Sequence, residues 1–465
     1  MAFRYRGVVE GFYGRPWSHA ERLDTIRWMG RAGFNAYLYA PKDDALHRAR
    51  WREAYPPDQM RRFEELVRAG EQAGVEFMLA ISPGLSLVYS DPAELDRLWE
   101  KLSAFVALGV RSFGIFFDDI PPQLRHEPDR RLYTSLAQAQ ADFTRRLWER
   151  MRGRGLHLIT CPTHYCGDPE VPYLQEFGAR LDPEIDIFWT GPAVCSRVIT
   201  TDHMRRVGDV LGRRPLIWDN YPVNDGHMAP ELHIGPYTGR DPELDRVTRG
   251  IFANPMNQPV ASRLPLSCVA AYLRDPVAAT HDPRRAWNEA ARELLAPGGL
   301  EPPAEDLVEA FTTFAACQSI SCLSPGEPEA LLSLFRRFED LMWSFRFDEG
   351  LRELQKGIGA MRQARHRLER AAQGLPFLAE IKPWIDDFGR WVDLLETGLD
   401  LILAESLLMA ASSEEERAGR RERVVEVREK LRAGLKESVD WPTRTCGDAA
   451  RAFLQHLLRR SALYA

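Results

Sequence analysis

The chain has 465 residues, 45% of them hydrophobic and 28% charged, with a formal net charge of −6 at pH 7. These values exclude disordered, collagen-like and fibrous proteins, and the length predicts roughly two domains. The balance is slightly acidic, with no long basic run, so neither nucleic acid nor a membrane surface is expected as a partner. No apolar stretch reaches the ~20 residues of a membrane span.

Up to residue 282 the sequence alternates short apolar runs with helical segments. Strands are expected at 4–11, 35–41, 75–82, 110–118, 156–163, 185–191, 214–220 and 249–255. Their near-continuous apolar character suits strands buried on both faces of a parallel sheet. Between them, helices are expected at 18–32, 57–73, 91–108 and 132–154. Ser18 with Glu21, and Asp91 with Glu94, have capping-box spacing, and Pro92 suits a first helical position. Gly33, Gly74, Gly109 and Gly155 are the expected stops.

Eight such βα units predict an α/β fold, a TIM (β/α)8 barrel spanning 1–282. An open doubly wound sheet fits less well, because no GxGxxG follows the first strand. From Asp282-Pro283 the pattern turns helical, broken by Pro/Gly turns at 296–303 and 324–329. Helices are expected at 283–295, 304–318, 328–344, 347–373, 377–411, 413–437 and 447–462. Their Leu, Phe and Trp seams read as the core of an α-helical bundle domain at 283–465.

The seven cysteines (161, 166, 195, 268, 317, 322 and 446) are odd in number and form no CxxC. They read as reduced, mostly buried thiols. The N-terminal MAFRYRGVVEGFYG lacks the apolar core and cleavage site of a signal peptide, so a cytoplasmic protein is expected. Without HExxH, P-loop, GxSxG or EF-hand patterns, no metal or cofactor is expected. Only six of the 61 basic residues are lysine. Where arginine is the default, a lysine such as Lys42 or Lys101 can mark a need for a compact ammonium.

In such barrels chemistry sits at the C-terminal ends of the strands. There the sequence places Gly11-Phe12-Tyr13-Gly14, Pro41-Lys42-Asp43-Asp44, Asp118-Asp119 and Thr163-His164-Tyr165. Trp189-Thr190, Trp218-Asp219-Asn220, Asn224-Asp225 and Asn254 complete the set. Aromatic faces cover apolar sugar faces while carboxylates and amides take hydroxyls, so the composition suits carbohydrate. The Asp118-Asp119 pair is the sharpest feature, since mutual repulsion is expected to raise one carboxyl toward general-acid duty. The plain alternative has one aspartate capping a loop and the other solvated. Adjacent aspartates suit poorly the two carboxylates that flank a scissile bond. They suit better a substrate whose own 2-acetamido oxygen is the nucleophile, with one aspartate at the leaving group and one at carbon 2.

The motifs GVVEGFYGRPW (7–17), YLYAPKDD (37–44), ISPGL (81–85), FFDDI (116–120) and CPTHYCG (161–167) occur in order. WTGP (189–192), WDNYPVND (218–225), GPY (235–237) and ANP (253–255) follow. Together they resemble glycoside hydrolase family 84, the O-GlcNAcases and related bacterial β-N-acetylglucosaminidases. The resemblance covers essentially the whole barrel; the helical region matches only in position and character.

What the resemblance implies is a retaining β-N-acetylglucosaminidase removing O-linked GlcNAc from Ser or Thr of glycoproteins or glycopeptides through an oxazoline intermediate. Asp118 would bind the acetamido N–H, and Asp119 would be the general acid and then base. Tyr165 and Asn220 would hold the acetamido group, Trp218 would wall it, and Asp225 would accept the 4- and 6-hydroxyls. Gly11, Lys42 and Asn254 would contact hydroxyls at the base. Other readings remain: Trp218 as core filler, Lys42 as an ion-pair partner of Asp43 or Asp44, Tyr13 as supporting packing outside the catalytic set, and His164 as a rim residue. The start almost at strand one and the end after the helices lead to the expectation of no extra N-terminal domain or appended modules as in larger relatives, with the helical region expected to shape the outer cleft or a homodimer contact. Alternative functions are a hexosaminidase acting on small glycan, hyaluronan or chitin fragments, and a non-catalytic glycan-binding barrel. The intact acid pair speaks against the binder.

Overall fold

The computed structural model describes residues 3–296, 298, 302–318 and 326–461. Cys322, the expected helix end at 462 and parts of the turns expected at 296–303 and 324–329 lie outside them. Contact clustering divides the chain into two compact units. One comprises Met1–Gly226 and Pro236–Trp287, the other His227–Gly235 and Asn288–Ala465.

The first unit is built from β1 (Tyr5–Glu10), α1 (His19–Ala32), β2 (Ala36–Tyr39), α2 (Pro57–Ala73), β3 (Glu76–Ile81) and α3 (Pro92–Ala107). β4 (Ser112–Phe116), α4 (Glu127–Leu132), α5 (Leu136–Met151), β5 (His157–Cys161), α6 (Pro172–Arg180) and β6 (Asp186–Trp189) follow. α7 (Thr201–Leu211), β7 (Leu216–Asp219), α8 (Leu244–Val247), β8 (Gly250–Ala253), α9 (Pro259–Arg274) and α10 (Pro276–His281) complete it. The eight strands are parallel and close in chain order, β8 returning to β1 with Tyr5 opposite Gly250. The expected TIM barrel is therefore present, with a helical region after it.

Side chains fill the barrel from the inside. Val9, Leu38, Met78, Ile159 and Leu216 pack with Phe116, Phe188, Phe252 and Trp218 in one buried cluster. Trp218 meets Phe116 and Phe188 edge-on, with ring centroids 5.5 and 5.4 Å away. That cluster is the floor on which the strand-end residues stand.

Local signals explain most boundaries. Ser18 and Glu21 form a complete capping box at α1, a feature worth about 1 kcal/mol. At α3 the reading needs correction: Asp91 caps through Ala93 N, but Glu94 does not reach back. Glu94 is buried and committed to Arg52 and Arg97 instead. The helix expected at 132–154 starts later, at Leu136: Leu132 is the last residue of α4, and Ser135 caps a fresh start by accepting from Gln138 N. It also ends at Met151, capped by Arg152, well before Gly155. At the end of α3, Leu108 is the cap and Gly109 only follows it.

The second unit consists of helices. Its elements are α11 (Pro283–Leu295, which straddles the division), α12 (Glu305–Ala315), α13 (Glu329–Trp343), α14 (Phe347–Ala371), α15 (Pro376–Glu380), α16 (Lys382–Met409), α17 (Glu414–Glu437) and α18 (Gly447–Ser461). α14 packs on α12, α13 and α16, and α16 packs on α17 and α18. The helix expected at 377–411 breaks at Ile381, where Pro383 cannot continue α15 but suits the first turn of α16. No described helix is long and apolar enough to cross a membrane.

Candidate active site

β4 delivers the aspartate pair. Phe117 N donates to Cys161 O at 2.8 Å, extending the β4–β5 pairing one residue past the strand. Asp118 is then 7% exposed, and the chain turns at Asp119 into the left-handed region at φ 53°. Only a few residue types, Asp among them, take that conformation readily. The turn separates the directions of two adjacent carboxylates.

Lys42, at the end of β2, is itself buried and pairs with Asp118 Oδ2. It does not pair with its neighbours. Asp43 accepts from Gly14 N, while Asp44 accepts from the hydroxyls of Tyr39 and Tyr55. The other Asp118 oxygen, Oδ1, is buried with no hydrogen-bond partner among the described residues. Lys42 Nζ also lies 5.6 Å from the Trp218 ring centroid.

Asp119 is held differently. Tyr165 donates to Oδ1 at 2.6 Å and Tyr13 to Oδ2 at 2.8 Å. Burial alone would raise the Asp119 carboxyl. Lys42, the two tyrosine hydroxyls and Arg48 outweigh it and hold the group below the usual carboxylate range. The expectation that repulsion raises one member of the pair is therefore corrected for Asp119. Cations and donors that the pair's own sequence does not reveal set its direction instead. Burial and the Asp119 charge raise the Tyr165 and Tyr13 hydroxyls, which stay protonated donors.

The wall on the β7–β8 side is a chain of amides. Trp218 Nε1 donates to Asn220 Oδ1 at 3.0 Å, and Asn254 Nδ2 donates to the same oxygen at 2.9 Å. Asn220 Nδ2 reaches Val194 O, and Asn254 Oδ1 accepts from Gly11 N at 3.2 Å. A Cβ on Gly11 would lie 2.3 Å from Trp218 Cζ2, so the flat indole requires glycine there. Asp225 accepts from Tyr13 N at 2.7 Å. Burial foremost, opposed by that N–H and reinforced by the Asp119 charge, raises its carboxyl.

All nine residues singled out in the sequence (Gly11, Lys42, Asp118, Asp119, Tyr165, Trp218, Asn220, Asp225 and Asn254) line one cavity. It encloses about 490 Å³ including its open mouth, a size suited to a small polar ligand. Tyr13 lines it too, and Arg48 stands behind Tyr13; neither was placed in the site from sequence. The GFYG motif signals Tyr13, but nothing signals Arg48, one arginine among many on an irregular loop. Trp218 is both core and wall, so the two readings of it are the same residue seen from two sides. His164 does not line the cavity; its ring lies 6.2 Å from both Tyr173 and Trp189. None of the six described cysteines is in a disulfide, and four of them are buried.

A closed parallel barrel that gathers adjacent carboxylates, tyrosine donors and an aromatic wall at its strand ends has the layout of a glycoside hydrolase. The family model for beta-N-acetylglucosaminidase matches residues 6–316. A mutant of the Thermobaculum terrenum O-GlcNAc hydrolase has a similar structure, at 44% identity and a TM-score of 0.91. That match covers 99% of this chain and 95% of the other. CpGH84B is similar at 26% identity and a TM-score of 0.79, over 99% of this chain and 77% of that one. The protein O-GlcNAcases of Rattus norvegicus and Mus musculus are each 40% identical over 255 residues, 54% of this chain and 28% of theirs. The chain belongs to the β-N-acetylglucosaminidase family.

Proposed function

We propose that this protein is a retaining β-N-acetylglucosaminidase that removes O-linked GlcNAc from Ser or Thr by substrate-assisted catalysis. The observation that carries the reading is Asp118: one oxygen is held by Lys42, the other is buried in the cavity wall without a partner. A buried unpaired carboxylate oxygen costs of order 1–3 kcal/mol unless a ligand donor meets it. An acetamido N–H meets that need.

In this reading the acetamido carbonyl oxygen forms a bond to carbon 1 as the glycosidic C–O bond breaks. Asp119 gives its proton to the departing oxygen, so the serine or threonine hydroxyl is released. Asp118 accepts the acetamido N–H, and its negative charge stabilises the cationic oxazoline ring. Water then attacks carbon 1, Asp119 takes its proton, and the ring reopens with retained configuration. Trp218 walls the acetamido group and Tyr165 orients it. Asp225 takes the 4- and 6-hydroxyls. Lys42 and Gly11 line the base with Asn220 and Asn254, whose amide groups each have a second N–H for the ligand.

The likeness to the Thermobaculum terrenum O-GlcNAc hydrolase, over nearly the whole of both chains, supports the protein-linked substrate. The thiol state of the six described cysteines, none of them in a disulfide, supports action in the cytoplasm. The test is hydrolysis of an aryl β-N-acetylglucosaminide without added metal, followed by NMR, beside its N-trifluoroacetyl analogue. The β-anomer should form first, and fluorination should slow the reaction sharply by weakening the acetamido oxygen as nucleophile. Inversion, or indifference to fluorine, would overturn the mechanism. Failure to release GlcNAc from a Ser-linked glycopeptide would transfer the reading to small glycan fragments.

A further inference from the structure

Arg48 lies on the loop after β2, 8% exposed, and its guanidinium makes two contacts that converge on one residue. Nη1 donates to the Tyr13 hydroxyl at 2.7 Å, and Nη2 donates to the main-chain oxygen of Asp119 at 3.0 Å. Guanidinium N–H groups only donate. The Tyr13 hydroxyl must therefore accept from Arg48 and spend its own hydrogen on Asp119 Oδ2. Tyr13 is itself fixed at its main chain: its N–H reaches Asp225 and its carbonyl accepts from Asn257 Nδ2 at 3.0 Å. The second Arg48 contact falls on Asp119, the one non-glycine residue among the described strand ends in a left-handed conformation, at φ 53°. That geometry needs support from its surroundings.

We propose that Arg48 is a positioning residue for the acid–base step, clamping Asp119 through the Tyr13 hydroxyl on Oδ2 and through its main-chain oxygen. Oδ1 is then the oxygen that trades the proton with the glycosidic oxygen and with water. Among the described residues its donor is Tyr165, whose hydroxyl is held by no cation as Tyr13's is, and a ligand can draw that hydroxyl away. This rests on the reading of Asp119 as general acid and base. The charged groups around Asp119 are Lys42 and Arg48, which favour its anion, and the carboxylates Asp225 and the Lys42-paired Asp118. Arg48 is the cation among them that contacts the residue's backbone.

The experiment compares Arg48→Gln, Tyr13→Phe and Asp119→Asn, singly and combined with Asp119→Asn. Substrates are an activated aryl β-N-acetylglucosaminide and an alkyl or Ser-linked one. Arg48→Gln and Tyr13→Phe should each lower kcat/KM on the poor leaving group by about 10- to 100-fold, as for other residues that orient a reacting group. On the aryl substrate the loss should be much smaller. Each loses a contact that favours the Asp119 anion, so the basic limb of kcat/KM should move to higher pH by about one unit. In the Asp119→Asn background neither change should cost anything more. Tyr13→Phe removes one hydroxyl from a side chain that is 37% exposed, and so covers the case in which Arg48→Gln does not fold. Equal losses on both substrates with an unmoved pH profile, or full additivity with Asp119→Asn, would refute the clamp. If Asp119→Asn alone leaves the poor substrate unaffected, the acid–base reading falls, and the clamp with it.

Discussion

Replacing each aspartate by asparagine should give two different kinetic signatures. Asp118 is 7% exposed and Lys42 5%, so water screens neither well. With the cationic ring about 4 Å from the carboxylate and an effective dielectric near 20, the attraction is 332/(20 × 4), about 4 kcal/mol. Losing it slows the reaction by about 10³-fold. Asp118→Asn also leaves the buried Lys42 ammonium without its counter-charge beside a developing cation, which acts in the same direction. The loss should not depend on the leaving group, because it acts on the ring and not on the departing oxygen.

Asp119→Asn should behave otherwise. General acid catalysis contributes roughly 10²- to 10⁴-fold where the leaving group needs a proton. An alkyl or Ser-linked substrate should lose about that much in kcat/KM. An activated aryl substrate leaves as a stable anion, so its kcat/KM should fall by less than about tenfold. Its kcat should fall further, because water attack on the oxazoline still lacks its base. Steady-state rates on both substrates, with a burst measurement on the aryl one, separate the cases. A uniform loss for Asp119→Asn, or a leaving-group-dependent loss for Asp118→Asn, would refute the assigned roles.

Gly11→Ala should displace the Trp218 indole, costing about 1–3 kcal/mol in denaturant unfolding and raising KM, because the added Cβ would lie 2.3 Å from Cζ2. Asp225 is raised, so it protonates at a higher pH than an ordinary carboxylate; KM should climb as pH falls through that value, and Asp225→Asn should flatten the climb. Lys101 places its ammonium against three main-chain oxygens, those of Leu46, Trp51 and Glu53. Lys101→Met should cost about 3 kcal/mol of stability in urea titration, and Lys101→Arg should not restore it, because a planar fork cannot meet three acceptors around one point.

The barrel was legible because a parallel strand buried on both faces writes itself as a continuous apolar run, and each run ended within a few residues of its strand. The site was legible because seven of the eight strand ends, distant from one another in sequence, project residues onto one cavity. What stayed hidden was set by partners far along the chain. Glu94 leaves its capping box for Arg52, 42 residues away. Asp119 is lowered by Tyr13, 106 residues before it, and by Lys42 and Arg48. The scarcity of lysine was informative: Lys42 and Lys101 are both buried, one on a carboxylate and one on three carbonyls. Arg48 carried no such mark, since arginine is this chain's default cation.

The lowered Asp119 carboxyl sets a requirement on substrate binding. With both oxygens receiving tyrosine hydrogens, the empty pocket holds the base form, yet the first chemical step consumes the acid form. In the proposed complex the sugar strips water from the pocket, and the acetamido oxygen competes for the Tyr165 hydroxyl. Both changes raise the proton affinity of Asp119. Binding of an uncharged, hydrolysis-resistant thioglycoside of GlcNAc should therefore take up protons at pH values above the titration of the free Asp119 carboxyl. Calorimetry in buffers of different ionisation enthalpy reads that uptake directly. Asp119→Asn should abolish most of it, and Tyr165→Phe should reduce it, because the free carboxyl then starts nearer its ordinary range. Proton release on binding, or an uptake unchanged in Asp119→Asn, would mean that the acid is armed elsewhere in the pocket.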